Sequence, residues 1–227
     1  MLLVEDVLLL LTDDATGKAA VDSSTLDLAL AGAVLLELAA QGRADVAGPG
    51  EQVKAGRVVV RDASPLGDPL LDAAIASIAN SSPRKPDSML GVLKKGLAAE
   101  VRHRLVTRGI LRHEEGRILG IFPTNRWPAE DSNHEDMVRR ALHDVLVTGR
   151  TATPTEAGIV AILLAVDKVH AVVVDTALSR RDLKARAKAI AEGGFASEAV
   201  RKAIEAINAA VMTSIMAATA AGAAASG

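Results

Sequence analysis

The residue types that most often carry chemistry are sparse in this sequence and poorly placed for it. Histidines stand at 103, 113, 134, 143 and 170, and no two share a helical turn. There is no cysteine, so thiolate ligands, thiol nucleophiles and disulfides are all excluded. Without paired His or Cys ligands no metal site is expected. The glycine-rich phosphate-binding loops, the G-x-S-x-G nucleophile turn and the H-E-x-x-H zinc motif are absent. Ser23 and Ser24 read as helix caps rather than nucleophiles. One acid stands apart. Glu37 falls among Leu and Ala residues, where it is either satisfied by an arginine or by backbone N–H groups, or is a catalytic carboxylate with a raised pKa. The expectation is a protein that is not an enzyme and carries no cofactor.

The sequence offers charge instead. From Arg84 to Arg126 there are ten Lys or Arg (84, 85, 94, 95, 102, 104, 108, 112, 117, 126) and four acids (87, 100, 114, 115), a local charge of +6. The remaining residues, 16 basic and 24 acidic, carry −8. So polarised a chain can dock an anionic surface on its middle segment, although a solvated basic helix face gives the same pattern.

The elements that must position these charges are mostly helical. Apolar residues make up 49 % of the 227, with Phe122, Phe195 and Trp127 the only aromatics, so the core must be Leu, Val, Ile and Ala. Leu26 to Arg43 is apolar all round and must be buried all round. It is expected to begin with Ser24 as N-cap and Asp27 at N3, and to end at Gly42. Leu2 to Leu11 reads as a short buried helix or, less well, a strand. Val46 and Val58 to Val60 flank a Gly-Pro-Gly turn as a small hairpin. Asp68 and Pro69 open a helix. A second amphipathic helix is predicted from about Ser88 to Arg108. Ile110 to Arg112 and Arg117 to Phe122 flank a Glu-Glu-Gly turn as a second hairpin, followed by a rigid PTNRWP loop. Helices are expected over His134 to Val147, over Ala157 to His170 behind a capping box at Thr153 and Glu156, from Ser179 to Gly193, and over Ser197 to Ala221. The acidic start, with Glu5 and Asp6, does not resemble a signal peptide, and Ala206 to Ala221 is too weakly hydrophobic to read as a membrane span. The fold class is thus mainly α: a single helical-bundle domain over 1–227, with a buried central helix, amphipathic helices around it and small β-hairpins.

Taken in order and spacing, MLLVEDVLLLLTDDATGK, LALAGAVLLELAAQGR, GDPLLDAAI and VRHRLVTRGIL before a hairpin resemble the Golgi phosphoprotein 3 family, from Leu3 to about Ala218. The Ala-rich composition is similar to that of bacterial members. The resemblance implies a helical bundle with a projecting β-hairpin and no catalysis. It also implies a peripheral membrane protein that binds phosphatidylinositol 4-phosphate, its hairpin serving membrane contact and oligomer formation. The family's phosphate ligands are one Trp and three Arg. Carried over, the last Arg is Arg102, the one a turn earlier is Ala99, the one in the central helix is Ala31, and the Trp falls at about Asp22. The arginine-rich tail of eukaryotic members has no counterpart before the first helix.

The expected headgroup contacts are therefore Arg102 and Lys95, one helical repeat apart. The expected membrane or oligomer contacts are Ile118, Leu119, Ile121 and Phe122, with Trp127 either among them or covering a seam. The expected partner is an anionic phospholipid or phosphoinositide surface on the inner face of the membrane, where the chain would act as an adaptor, with a cytoplasmic, peripheral location and a possible homo-oligomer through the hairpin. Two other readings stand beside this one. AEVRHRLVTRGILRHEEGRILGIF reads like a recognition helix with a wing, although a net charge of −2 argues against nucleic acid. The other is an oligomeric scaffold with no ligand.

Overall fold

A helix with leucines and alanines on every side has no face to give to water, and the molecule is arranged around that fact. The computed structural model describes residues 1–118, 122–174, 176–193 and 209–217; the side chains of 117, 118 and 122–124 fall outside that description. Helix α1 (Leu3–Leu10) leads to the central helix α2 (Ser23–Ala40). A hairpin of β1 (Ala44–Val46) and β2 (Val58–Val60) follows, then α3 (Pro69–Ala79), α4 (Pro86–Leu93) and α5 (Leu97–Thr107). A second hairpin pairs β3 (Glu114–Ile118) with β4 (Phe122–Arg126). Helix α6 (Asn133–His143) runs into a π-helical turn, Asp144–Thr148, and α7 (Pro154–Ala165), α8 (Val169–Val172) and α9 (Arg180–Gly193) complete the named elements. Residues 209–217 are also helical. The fold is mainly α with two small antiparallel strand pairs, as the sequence indicates.

Helices α1, α3, α4, α5 and α7, together with β1, pack around α2. Leu30, Ala31, Ala33 and Leu38 reach 0 % exposure, and Leu35 and Leu36 reach 1 %. By length and hydropathy α2 could cross a membrane, yet 72 % of it is buried within the protein, so it is a core helix. Its start differs from expectation. The N-cap is Asp22, whose carboxylate accepts from the Thr25 N–H at 3.0 Å and from the Thr25 hydroxyl at 2.6 Å. A carboxylate is a stronger acceptor than a serine hydroxyl and is favoured by the positive end of the helix dipole. At the other end Gly42 takes φ +69°, the Arg43 N–H reaches the Leu38 carbonyl at 2.8 Å, and the Gly42 N–H reaches Ala39 at 3.0 Å. This is the double closure that glycine permits.

Three other expectations are corrected. The helix predicted over 88–108 is two helices, because Gly96 adopts φ +72° and cannot continue the α4 spiral. The helix predicted over 157–170 likewise divides into α7 and α8 at Asp167, whose φ is +54°. The second hairpin is longer and shifted. Glu114, Glu115 and Gly116, expected to be the turn, are strand residues paired with Arg126, Asn125 and Thr124, and much of the supposed PTNRWP loop is β4. A two-stranded ribbon has only edges, so polar residues and Pro123 are acceptable in it. Residues 119–121, between the strands, lie outside the described residues. The first hairpin pairs Ala44 to Val60 and Val46 to Val58, as expected. Asp68 caps α3, and Thr153 with Glu156 forms the reciprocal capping box of α7. Of the last predicted helix only 209–217 lie among the described residues.

Gly32 shows how closely α2 is approached. A Cβ there would lie 2.6 Å from Val211 Cγ2 and 3.0 Å from Ile162 Cδ1. Gly32→Ala should gain about 1 kcal/mol of helix propensity and lose more than that to overpacking. The expected outcome is a lower urea midpoint with an unchanged m-value. A raised midpoint would show that α7 and residues 209–217 can move aside.

Candidate functional site

Helix α5 carries the centre of the basic segment and divides it in two. Val101 and Leu105, both 0 % exposed, mark the edge that faces the core. Arg104 and Arg108, four residues apart, lie on one flank. Arg104 Nε donates to Glu5 at 3.1 Å, and its two terminal nitrogens grip Asp68 at 2.9 and 2.7 Å. Arg108 donates to the other Glu5 oxygen at 3.0 Å, and the Leu2 N–H donates to Glu5 at 2.9 Å. Glu5 is fully buried. Hydrogen bonds from Arg104 and backbone N–H groups hold Asp68 below the usual carboxylate range, although burial works against them.

Arg102, two residues before Arg104, points about 200° away around the helix. It is half-buried and forms no ion pair or hydrogen bond among the described residues. Its guanidinium carbon lies 4.1 Å from the centre of the Trp127 ring. Burial lowers its pKa below the ordinary arginine value, opposed by the nearby Asp27 carboxylate. The Trp127 ring also stacks on His113, with centroids 5.5 Å apart and planes 12° from parallel. His113 Nε2 lies 2.9 Å from the Asn125 side-chain oxygen. The root of the β3–β4 hairpin is thus fastened to α5 through an Arg–Trp–His stack. Trp127 is half-buried and packs on the core.

The backbone secures this root. The Trp127 N–H donates to the Gly17 carbonyl at 3.2 Å, the Ala129 N–H to Asp14 at 2.9 Å, and the Arg112 N–H to Pro128 at 3.0 Å. Gly17 has φ +62°, and a Cβ there would lie 2.3 Å from the Trp127 nitrogen, so only glycine fits.

Lys95 and Arg102 do not share one helix: Lys95 lies in the α4–α5 junction, outside either helix, and lines a groove of about 490 Å³ with Val34, Ala73, Leu93 and Glu100. Gly96, φ +72°, interrupts the single helical repeat on which the sequence places the two. Of the predicted contact residues, Leu119 and Ile121 lie outside the described residues, and for Ile118 and Phe122 only the backbone is described, at the paired ends of β3 and β4. His113 and Asp27 were not anticipated. Both approach the site from separate elements, which no spacing in the sequence encodes.

Other acids are used differently. Glu37 accepts from the Leu3 N–H at 3.0 Å and so caps the start of α1 from α2. Burial, with Asp6, Asp68 and Glu5 nearby, lifts its pKa to about 7. The buried Asp6 meets His134 Nε2 at 2.7 Å, and the buried Glu135 accepts from Arg139 Nε at 2.7 Å. Among the described residues no group of three His, Asp or Glu could hold a metal ion.

With this geometry in place, comparison with known families is decisive. The family model for Golgi phosphoprotein 3 (GPP34) matches residues 3–207. The chain belongs to that family. No curated protein matches it. Membership associates the chain in general terms with membrane-attached adaptor proteins. Of the positions carried over from the family's phosphate ligands, Ala31 is sealed in the core, Ala99 is exposed, and Asp22 is spent on capping α2.

The two flanks should respond differently to substitution. Arg104→Ala leaves Asp68 unpaired and Glu5 half-paired in a buried setting, and should cost on the order of 3 kcal/mol. Arg102→Ala removes a cation–π contact and should cost about 1 kcal/mol. Urea unfolding of both variants checks the ranking, and equal losses would make Arg102 a structural residue.

Glu37 gives a pH signature. Its folded pKa of about 7 exceeds the ordinary 4.5, so the folded chain holds the proton more tightly than the unfolded chain does. Its contribution to stability is therefore most favourable below about pH 4.5, declines as pH rises toward 7, and stays lost above it. Glu37→Gln should flatten stability between pH 5 and 8, read from melting curves; an unchanged slope would assign the dependence to another group.

Proposed function

We propose that this protein is a non-enzymatic adaptor that sits peripherally on anionic lipid, with Arg102, Trp127 and the β3–β4 hairpin forming the contact. One observation carries the reading. Arg102 is a half-buried cation of the basic segment with no carboxylate partner among the described residues, and unlike the others it is held over the aromatic ring at the root of the hairpin. A guanidinium desolvated on one face and unpaired on the other is prepared for a phosphate oxygen. A tryptophan beside it suits the headgroup level of a bilayer.

The ligand in this reading is an anionic phospholipid, not a selectively recognised phosphoinositide. Alanines at 31 and 99 and an acid at 22 leave one arginine where the family's phosphatidylinositol 4-phosphate site has four ligands. A single charge-assisted contact attracts phosphate without distinguishing headgroups. Arg84, Lys85, Lys94, Lys95 and Arg126 also lack ion pairs among the described residues, and they add electrostatic attraction. The apolar hairpin residues Ile118, Leu119, Ile121 and Phe122 would enter the lipid interface; their competing use is contact with a second copy. The location is the inner face of the membrane, in a reducing compartment compatible with a cysteine-free chain. Two of the arginines in the helix-and-wing reading, Arg104 and Arg108, are already held by Glu5 and Asp68, which favours lipid over nucleic acid.

The sole tryptophan provides the test. Vesicles containing phosphatidylglycerol should shift Trp127 emission to the blue and co-sediment the protein, and neutral phosphatidylcholine vesicles should do neither. Arg102→Ala should weaken the response at least threefold, and raising salt from 50 to 500 mM should weaken it further. Equal behaviour on the two vesicle types, or an Arg102→Ala variant that binds unchanged, would exclude this reading. Light scattering separates hairpin-mediated association from lipid contact.

A further inference from the structure

A second cationic cluster lies far along the chain from the basic middle segment. Helices α7, α8 and α9 enclose a cavity of about 330 Å³. Arg180, Arg181 and Lys184 of α9 and His170 of α8 line it, and Asp167 is the acid among them. Leu164 and Leu183 supply apolar wall. Arg180 and Arg181 have no ion pair among the described residues. Lys184 is held by Asp167 at 3.1 Å, an exposed pair that solvent screens. The arginines occupy the first turn of α9, next to its positive end, where cations are disfavoured. Asp182, bonded to Ser179, offsets only part of that. Three cations and an imidazole around one concavity, opposed by one acid, form an arrangement that an anion would relieve.

We propose that this cavity binds a phosphate group, either on a small soluble ester or on a lipid headgroup. Arg180 and Arg181 supply planar donors suited to phosphate oxygens, and Lys184 supplies a mobile point charge. The His170 ring adds a nitrogen from α8. Asp167 competes with the ligand for Lys184. It stands at the left-handed position that ends α7, φ +54°, where glycine would be unstrained. Its replacement therefore acts in a direction that damage to the fold would not.

The test uses the full chain carrying Arg102→Ala to weaken the hairpin-root contribution, and only binding that is lost with the α9 double variant is assigned to the cavity, so the two proposals fail separately. Glycerol 1-phosphate is titrated calorimetrically, and phosphatidylglycerol vesicles are followed by co-sedimentation. Arg180→Ala with Arg181→Ala should weaken phosphate binding at least tenfold at an equal or slightly higher melting temperature, since both side chains are exposed and the helix end disfavours cations. Asp167→Gly should tighten binding several-fold and raise the melting temperature by about 2 °C. Binding of the soluble ester identifies a soluble ligand; binding of vesicles alone identifies a headgroup. The proposal is overturned if the parent binds neither, if the double variant binds as the parent does, or if Asp167→Gly gains stability with no gain in affinity.

Discussion

A carboxylate with no access to water determines how the basic segment is used. Glu5 accepts hydrogen bonds from Arg104, Arg108 and the Leu2 N–H. Breaking a buried pair by removing one partner is far more costly than losing a surface pair. Helix α1 must therefore lie where α5 can present two arginines four residues apart, and Asp68 at the start of α3 must meet the first of them. One ionic cluster thereby fixes three helices relative to one another around α2. The central leucines supply the driving force, but apolar contact is non-directional, and the charges specify which face of α5 meets α1.

The same constraint leaves Arg102 available. With Arg104 and Arg108 committed to one flank, helical geometry places Arg102 on the other. There it meets no carboxylate at bonding distance, only the more distant charge of Asp27 and the face of Trp127. A formal charge of +6 over the segment therefore overstates what a partner meets. Arg104, Arg108 and Arg112 have carboxylate partners, Arg112 with Glu114 and Glu130, and part of the positive field is neutralised within the molecule.

Much of the architecture was legible in the residues because local rules and burial agree there. Leu26 to Leu38 could only be a core helix, and Asp68-Pro69 and Thr153-Pro154-Thr155-Glu156 could only begin helices. The misreadings share a cause, a backbone choice made at one residue. Gly96 and Asp167 take positive φ inside runs whose apolar spacing continues across them, so periodicity alone joined what the backbone separates. The hairpin was misplaced for a related reason. Apolar runs read as strands and polar ones as turns, although a two-stranded ribbon buries too little for that distinction to hold. The sequence points to Arg102 only through the family resemblance, and its contact with Trp127, on which His113 stacks, joins α5 to the end of a hairpin, which no local spacing encodes.

The proposed contact centres on one arginine. At the positions that the family resemblance aligns with phosphate-binding arginines, α2 and α5 carry Ala31 and Ala99, and Ala31 lies in a core that has no room for a charged side chain. Trp127 follows the hairpin, and its backbone is held by a loop in which Gly17 approaches too closely for any other residue. The aromatic ring and the arginine are kept together, but the ring belongs to the ribbon and not to the bundle. A force on the hairpin would therefore act on Trp127 first, and through it on the guanidinium. In a site built wholly within the helices, headgroup contact and hairpin position are independent. In the proposed lipid contact they share one stack, so whatever engages the ribbon would also act on Arg102.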